Sequence, residues 1–259
     1  MYLSAYLVFV ALACPFGHVH AEQTSNHGPE YYEQRGISLY ASMDSSLSAD
    51  YAHGRAKPIE PLFPAAYKDQ KHTFSPGKFG NCIRGASMTL IYDAMKNFFP
   101  DRGGVSFWFM PHDRDIWTYF KVESREVGVG PNSRRQMDLY FSTFLFGSSP
   151  ILRKGFHRAL IRPAFDAIDA PFTLDELSRD EWHHFAWTWD NTAGMRVMVD
   201  GKTVFDNWGT TTWIQMMTPN LVVLKSIKAC DEFMLFRRPL SQAELTNLYE
   251  GKLPEPQPL

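Results

Sequence analysis

Residues 181–205 read EWHHFAWTWDNTAGMRVMVDGKTVF. From Trp182 to Trp189 the chain alternates. Phe185, Trp187 and Trp189 fall on one side and His184, Ala186 and Thr188 on the other, the period of a half-buried strand. Asp190 to Gly194 is a polar turn, after which Met195, Val197 and Val199 resume the alternation. Asp200-Gly201 then gives the strongest short hairpin signal, because a type I′ turn needs positive φ at both central residues. Thr203 to Phe205 opens a third strand, so the stretch predicts an antiparallel meander.

The same stretch resembles the W-H-H-V/F-A … V-D-G-K core of laminin-G-like (LamG) domains, members of the concanavalin A-like lectin/glucanase jelly rolls. Gly103 to Pro111 (GGVSFWFMP) resembles that family's f-T-v-S-f-W-v-k-P strand. Asp231 to Gly251 (DEFMLFRRPLSQAELTNLYEG) resembles its closing strand and helix. The opening SLYASMDSSLSADYAHG is similar to the start of stand-alone exported LamG-like proteins of environmental bacteria. The resemblance covers residues 36–251 and implies an all-β jelly-roll sandwich of two antiparallel sheets with a short C-terminal helix. It implies little about function, since this fold hosts lectins, adhesion modules, hydrolases and lyases.

Length and composition agree. At 259 residues the chain fits one large all-β domain. A net charge of −2 offers no electrostatic footprint for nucleic acid. Aromatics make up 15% of the chain, enough to fill a sandwich core and leave rings for stacking on sugars. Residues 1–21 carry no charged side chain, include an apolar run from Tyr2 to Ala13, and end in Val19-His20-Ala21, a small-x-small cleavage site. They read as a signal peptide, in preference to a membrane anchor or a lipoprotein cysteine at Cys14. The expected location is therefore secreted, periplasmic or cell-surface, with no membrane span after cleavage. Cleavage leaves Cys82 and Cys230, an even pair in an oxidising compartment. Either they form a disulfide, worth about 3–5 kcal/mol through loop entropy, or both are buried free thiols.

Along the chain, residues 22–35 read as a flexible polar segment and 37–43 as the first strand. Further strands are expected at 78–92, 105–110, 117–122 (paired with 105–110), 138–146, 221–224 and 233–236. Thr173 and Glu176 suggest a capped helical turn. Ser241 and Glu244 form a capping box opening a helix to Tyr249, stopped by Gly251 and followed by a Pro-rich tail over 252–259.

The chemistry-bearing motifs are sparse. A glycosidase needs paired carboxylates roughly 5.5 Å or 6.5–9.5 Å apart. The family-16 signature E-x-D-x-x-E is absent, and the alginate-lyase motifs appear only scrambled, as at Ser124–Val127 and Gln70–His72. The chain is therefore expected not to be an enzyme. His183 and His184, adjacent on a strand, point to opposite faces and cannot share a metal; one packed and one exposed ring is the expectation. The resemblance implies a structural Ca²⁺ between Asp44 and Asp231, with backbone carbonyls completing an oxygen shell. The alternative is that Asp231 bonds nearby backbone amides. Sugar stacking would fall to Trp117, Tyr119, Tyr140, Trp208 and Trp213, with Arg134 and Arg135 close to Tyr140 in sequence. Trp108, Trp182, Trp187 and Trp189 are assigned to the core. The reading is an exported non-catalytic carbohydrate-binding module whose partner is a glycan. The alternatives are an adhesion module binding a cell-surface protein through the same surface, and a hydrolase or lyase with a non-standard active site.

Overall fold

A computed structural model describes residues 27–59, 72–111, 117–123, 135–143, 150–158, 168–169, 177–178, 180–209 and 221–257. Within 135–143, 150–158 and 168–169, and at 86–88, 117, 118, 123, 225 and 226, only the backbone is described. The proposed leader and the Thr173–Glu176 turn lie outside the described residues. In chain order the elements are α1 (Pro29–Gln34), β1 (Ile37–Ala41), β2 (Tyr51–Ala52), β3 (Thr73–Pro76), β4 (Asn81–Asp93), β5 (Arg102–Pro111), β6 (Trp117–Glu123) and β7 (Arg135–Thr143). There follow β8 (Pro150–Arg158), β9 (Ile168–Asp169), β10 (His183–Asp190), β11 (Gly194–Val199), β12 (Lys202–Asp206), β13 (Leu221–Phe236) and α2 (Gln242–Tyr249).

The meander forms as its alternation predicts. β10 pairs with β11 from Phe185↔Val199 to Asp190↔Gly194, and β11 pairs with β12. Asp200 (φ 48°) and Gly201 (φ 75°) both occupy the left-handed region that a type I′ turn requires. Asp200 is held there by its own side chain: Oδ1 accepts from the His184 amide at 2.8 Å. β10 then pairs with β5, and β5 with the C-terminal half of β13, which also carries β1 and β2. This is the first layer. In the second, β4 and β6 flank the N-terminal half of β13, with β7, β8 and β9 beyond β6; β4 runs on with β13 into the first layer, where Ile83 and Arg84 pair Cys230 and Ala229 and β3 lies beyond it.

The two antiparallel layers share β13, so the hydrogen-bonded ladder runs through both. What reads as two strands, 221–224 and 233–236, is one 16-residue strand. It changes layers through register shifts between Lys225 and Ala229 and between Asp231 and Met234, where Glu232 takes φ 53°. This also corrects the expected β5–β6 pairing, since the N-terminal half of β13 takes β6 as a neighbour instead.

Between the layers, Phe107 and Phe109 of β5 and Phe185, Trp187 and Trp189 of β10 meet Phe120, Tyr92, Val222, Leu224 and Phe233 in one apolar core. The outer face of the first layer is also covered. Ala186, Met198, Met234 and Phe236 pack under Leu240, Leu245 and Leu248 from α2 and its approach, and under Tyr32 from α1. The segment over residues 22–35 is therefore not flexible throughout. Pro29 starts a helix where its missing N–H costs nothing, and the fully packed Tyr32 anchors it. The tail is tied back as well, the Gln257 amide donating to the Gln34 carbonyl at 2.8 Å. α2 has the predicted capping box, and Gly251 closes it at φ 76°. Replacing Ser241 with Ala is expected to cost about 1 kcal/mol, read as a lower thermal midpoint.

The expected disulfide is not formed; Cys82 and Cys230 are buried free thiols. The register explains why. Cys230 lies opposite Ile83 and shares its core face, so Cys82 points through the other face of β4.

Candidate functional site

Of the expected sugar-stacking residues, Trp208 is the one the structure shows at the surface, 39% exposed. Its position follows from the β11–β12 pairing, which sets Arg196 opposite Asp206. Arg196 Nε donates to Asp206 Oδ2 at 2.7 Å, the Trp208 amide donates to Asp206 Oδ1 at 2.9 Å, and the guanidinium carbon lies 5.6 Å from the indole centroid. Burial alone would raise the Asp206 carboxyl, but the Arg196 and Trp208 hydrogen bonds and the Arg196 charge outweigh it and hold Asp206 below its ordinary value. Gly209 (φ 98°) turns the chain, its amide donating to the Ala193 carbonyl, and Asn207 Oδ1 accepts from the Met195 amide. The result is an indole fixed at the end of a hairpin, bracketed by a cation and a carboxylate.

The other candidates divide. Tyr119 is corrected: it is 2% exposed and packs on Phe109 at 5.0 Å, inside the core. Trp117 opens β6 and Tyr140 lies in β7 opposite Lys121 and Arg153, their side chains not described. Arg134 and Trp213 lie outside the described residues. Among the tryptophans assigned to the core, Trp187 and Trp189 lie between the layers, and Trp108 is buried as well, but on the outer face of the first layer. It sits there under Tyr249, with the Lys78 ammonium 4.3 Å from its centroid. Trp182 is half-buried beside Arg84 on the same face.

Both histidines are buried, correcting the expectation of one exposed ring, although they do face opposite sides. His183 Nδ1 bonds Asp200 Oδ2 at 2.7 Å and its Nε2 lies 2.9 Å from the Ser178 carbonyl. Burial works against charging this ring, but Asp200 outweighs it and raises the affinity for a proton. His184 Nε2 meets Ser106 Oγ at 2.9 Å, while Nδ1 is buried without a partner. Burial pushes this imidazole down to about 3.

Asp44 and Asp231 meet at one turn. The Asn81 amide donates to Asp44 Oδ1 at 2.7 Å. The Lys78 and Phe79 amides donate to Asp231 Oδ2 at 2.8 and 3.0 Å, the backbone-bonding alternative read from the sequence. Yet Asp231 Oδ1 is buried and unpartnered. Burial, aided by the negative charge of Asp44, pushes the Asp231 carboxyl up to about 7. Burial and Asp231 raise the neighbouring Glu232, whose oxygens accept from Tyr40 Oη at 3.1 and 3.0 Å. Among the described residues no cluster of three His, Cys, Asp or Glu side chains could hold a metal. Two carboxylates with one orphaned oxygen do fit a hard, oxygen-seeking cation completed by backbone carbonyls.

Among the described residues, no helix is long and apolar enough to cross a membrane. No known protein-family description and no curated protein matches the sequence. Solved structures do match in fold. Domain 4 of AbnA, a GH43 extracellular arabinanase from Geobacillus stearothermophilus, solved with arabinotriose, has a TM-score of 0.52 at 15% identity, covering 82% of this chain and 98% of that one. Trypanosoma rangeli sialidase with 2,3-difluorosialic acid gives 0.53 at 12% identity, covering 83% of this chain and 32% of that one. The receptor-binding domain of botulinum neurotoxin mosaic serotype C/D gives 0.52 at 13%, covering 84% and 51%. The chain thus spans about a third of the sialidase, and the likeness establishes the β-sandwich. It also corrects the expectation that the chain is not an enzyme, because the structures sharing its sandwich include glycosidases.

Proposed function

We propose that the chain is a LamG-like sandwich that recognises glycans outside the cell, with Trp208 as its stacking platform. The observation that carries this reading is the exposed indole held between β11 and β12 with Arg196 and Asp206 beside it. An apolar ring face takes the C–H face of a sugar, and the flanking charged groups take its hydroxyls. The arabinanase domain, solved with arabinotriose, supports the assignment of a sugar to this fold. We also propose Ca²⁺ held by Asp44 and Asp231, bracing the turn at residues 77–81; its chemistry there is structural charge neutralisation.

The test is a glycan-array screen of the chain from Glu22, run with calcium and again with EDTA, followed by titration of the best ligand. Trp208→Ala is expected to weaken binding at least tenfold with an unchanged thermal midpoint. Absence of any bound glycan in both conditions, or full affinity in W208A, refutes the reading.

A further inference from the structure

Arg84 lies on the outer face of the first layer, and its surroundings are unusual for a half-buried arginine. The register sets Met110, Ala229 and Arg84 side by side across β5, β13 and β4. Arg84 Nη1 donates to Met110 Sδ at 3.6 Å, and its guanidinium carbon lies 5.8 Å from the Trp182 ring centroid. Cys82, two residues back on the same face, adds a second sulfur. Burial keeps that thiol above its ordinary value despite the arginine, so it brings no negative charge at neutral pH.

The other described half-buried arginines all find an oxygen. Arg35 donates to the Tyr31 carbonyl, Arg237 to the Glu33 carbonyl, Arg196 to Asp206 and Arg238 to Glu244. Arg84 has no oxygen acceptor among the described residues, and its unpartnered N–H groups are not buried. The acids flanking Trp182 in sequence leave it unpaired: Asp180 goes to Lys228 at 2.9 Å, and Glu181 forms no ion pair with it. A guanidinium held by a ring and a thioether, with its fork open to solvent, is preorganised for a planar anion.

We propose that Arg84, beside Trp182, binds the carboxylate or sulfate group of an acidic glycan. The proposal rests on the glycan reading above and adds a separate anion-binding contact, at the His183 end of β10, whereas Trp208 stands at the Asp190 end. Two parallel N–H···O bonds form with little ordering cost, because the side chain is already fixed.

The experiment compares trigalacturonate, a sulfated heparin oligosaccharide and neutral arabinotriose by calorimetry at about 50 and 300 mM NaCl, where screening of charge differs strongly. The expected result is salt-sensitive binding of an anionic ligand that Arg84→Gln weakens at least tenfold. Arg84→Lys, which keeps the charge and loses the fork, is expected to fall between. The carboxylated and sulfated arms show which anion is preferred, and Arg84 dependence in either supports the proposal. Full anion affinity in R84Q overturns it. So does binding of arabinotriose alone, which leaves the glycan reading standing. Failure of all three ligands together with an empty glycan array removes both. Unchanged thermal midpoints for R84Q and R84K separate lost recognition from lost folding; if R84Q melts early, R84K alone decides.

Discussion

Replacing His184 with Asn is expected to remove about 3 kcal/mol of acid sensitivity between pH 7.5 and 4.5. The imidazole is fully buried, and burial holds its proton affinity down to about 3. In the unfolded chain the same ring titrates near 6.5. Below that pH the unfolded state therefore binds a proton that the folded state refuses, and stability falls as pH drops through the window. Above 6.5 both states are neutral and the loss vanishes. Neighbouring groups act in the opposite direction. His183, raised by Asp200, gains stability on acidification, as do Asp231 and Glu232, whose raised carboxyls take up protons first in the folded state. Wild type alone is thus a poor readout, and the difference between wild type and H184N isolates the ring. Urea unfolding at several pH values checks it. Parallel pH dependence in the two proteins would mean that His184 opens to solvent or charges in place.

How much of this was legible in the chain depends on the range of the interaction. The β10–β12 meander and the α2 cap are local: alternation, a two-residue turn and a capping box sit within a few residues of what they specify. The path of β13 was not. Its two apolar runs look like separate strands, because the polar residues between them are spent on bulges that move the strand from one layer to the other. The same limit applies to the site residues. Tyr119 and Trp208 look alike in sequence, yet one packs on Phe109 and the other ends a hairpin. Trp108 and Trp182 share the outer face by alternation, yet Trp108 is buried under Tyr249 of α2 while Trp182 is only half-buried beside Arg84, a difference set by a helix distant in sequence. Arg84 had no motif at all. Its interest lies in the missing acid partner, a property of strands joined across the fold.

Asp231→Asn is expected to change stability in opposite directions with and without calcium. In EDTA at pH 8 the wild-type carboxylate is ionised, fully buried, close to the negative charge of Asp44, and has one oxygen unpartnered. Removing that charge while keeping an oxygen for the Lys78 and Phe79 amides should stabilise the chain by about 1–3 kcal/mol. With calcium the balance inverts. A cation bound only by the folded state adds about 2.7 kcal/mol at a hundred times its dissociation constant, and D231N forfeits that gain. Thermal melts of both proteins in EDTA and across a calcium series measure the crossing directly. A wild-type midpoint indifferent to calcium would remove the metal and leave Asp231 as a clasp on the 77–81 turn. A D231N that is weaker in both conditions would mean the two amide bonds need full charge. The crossing itself has one physical source: an acid this deeply buried is a liability until something positive reaches its free oxygen.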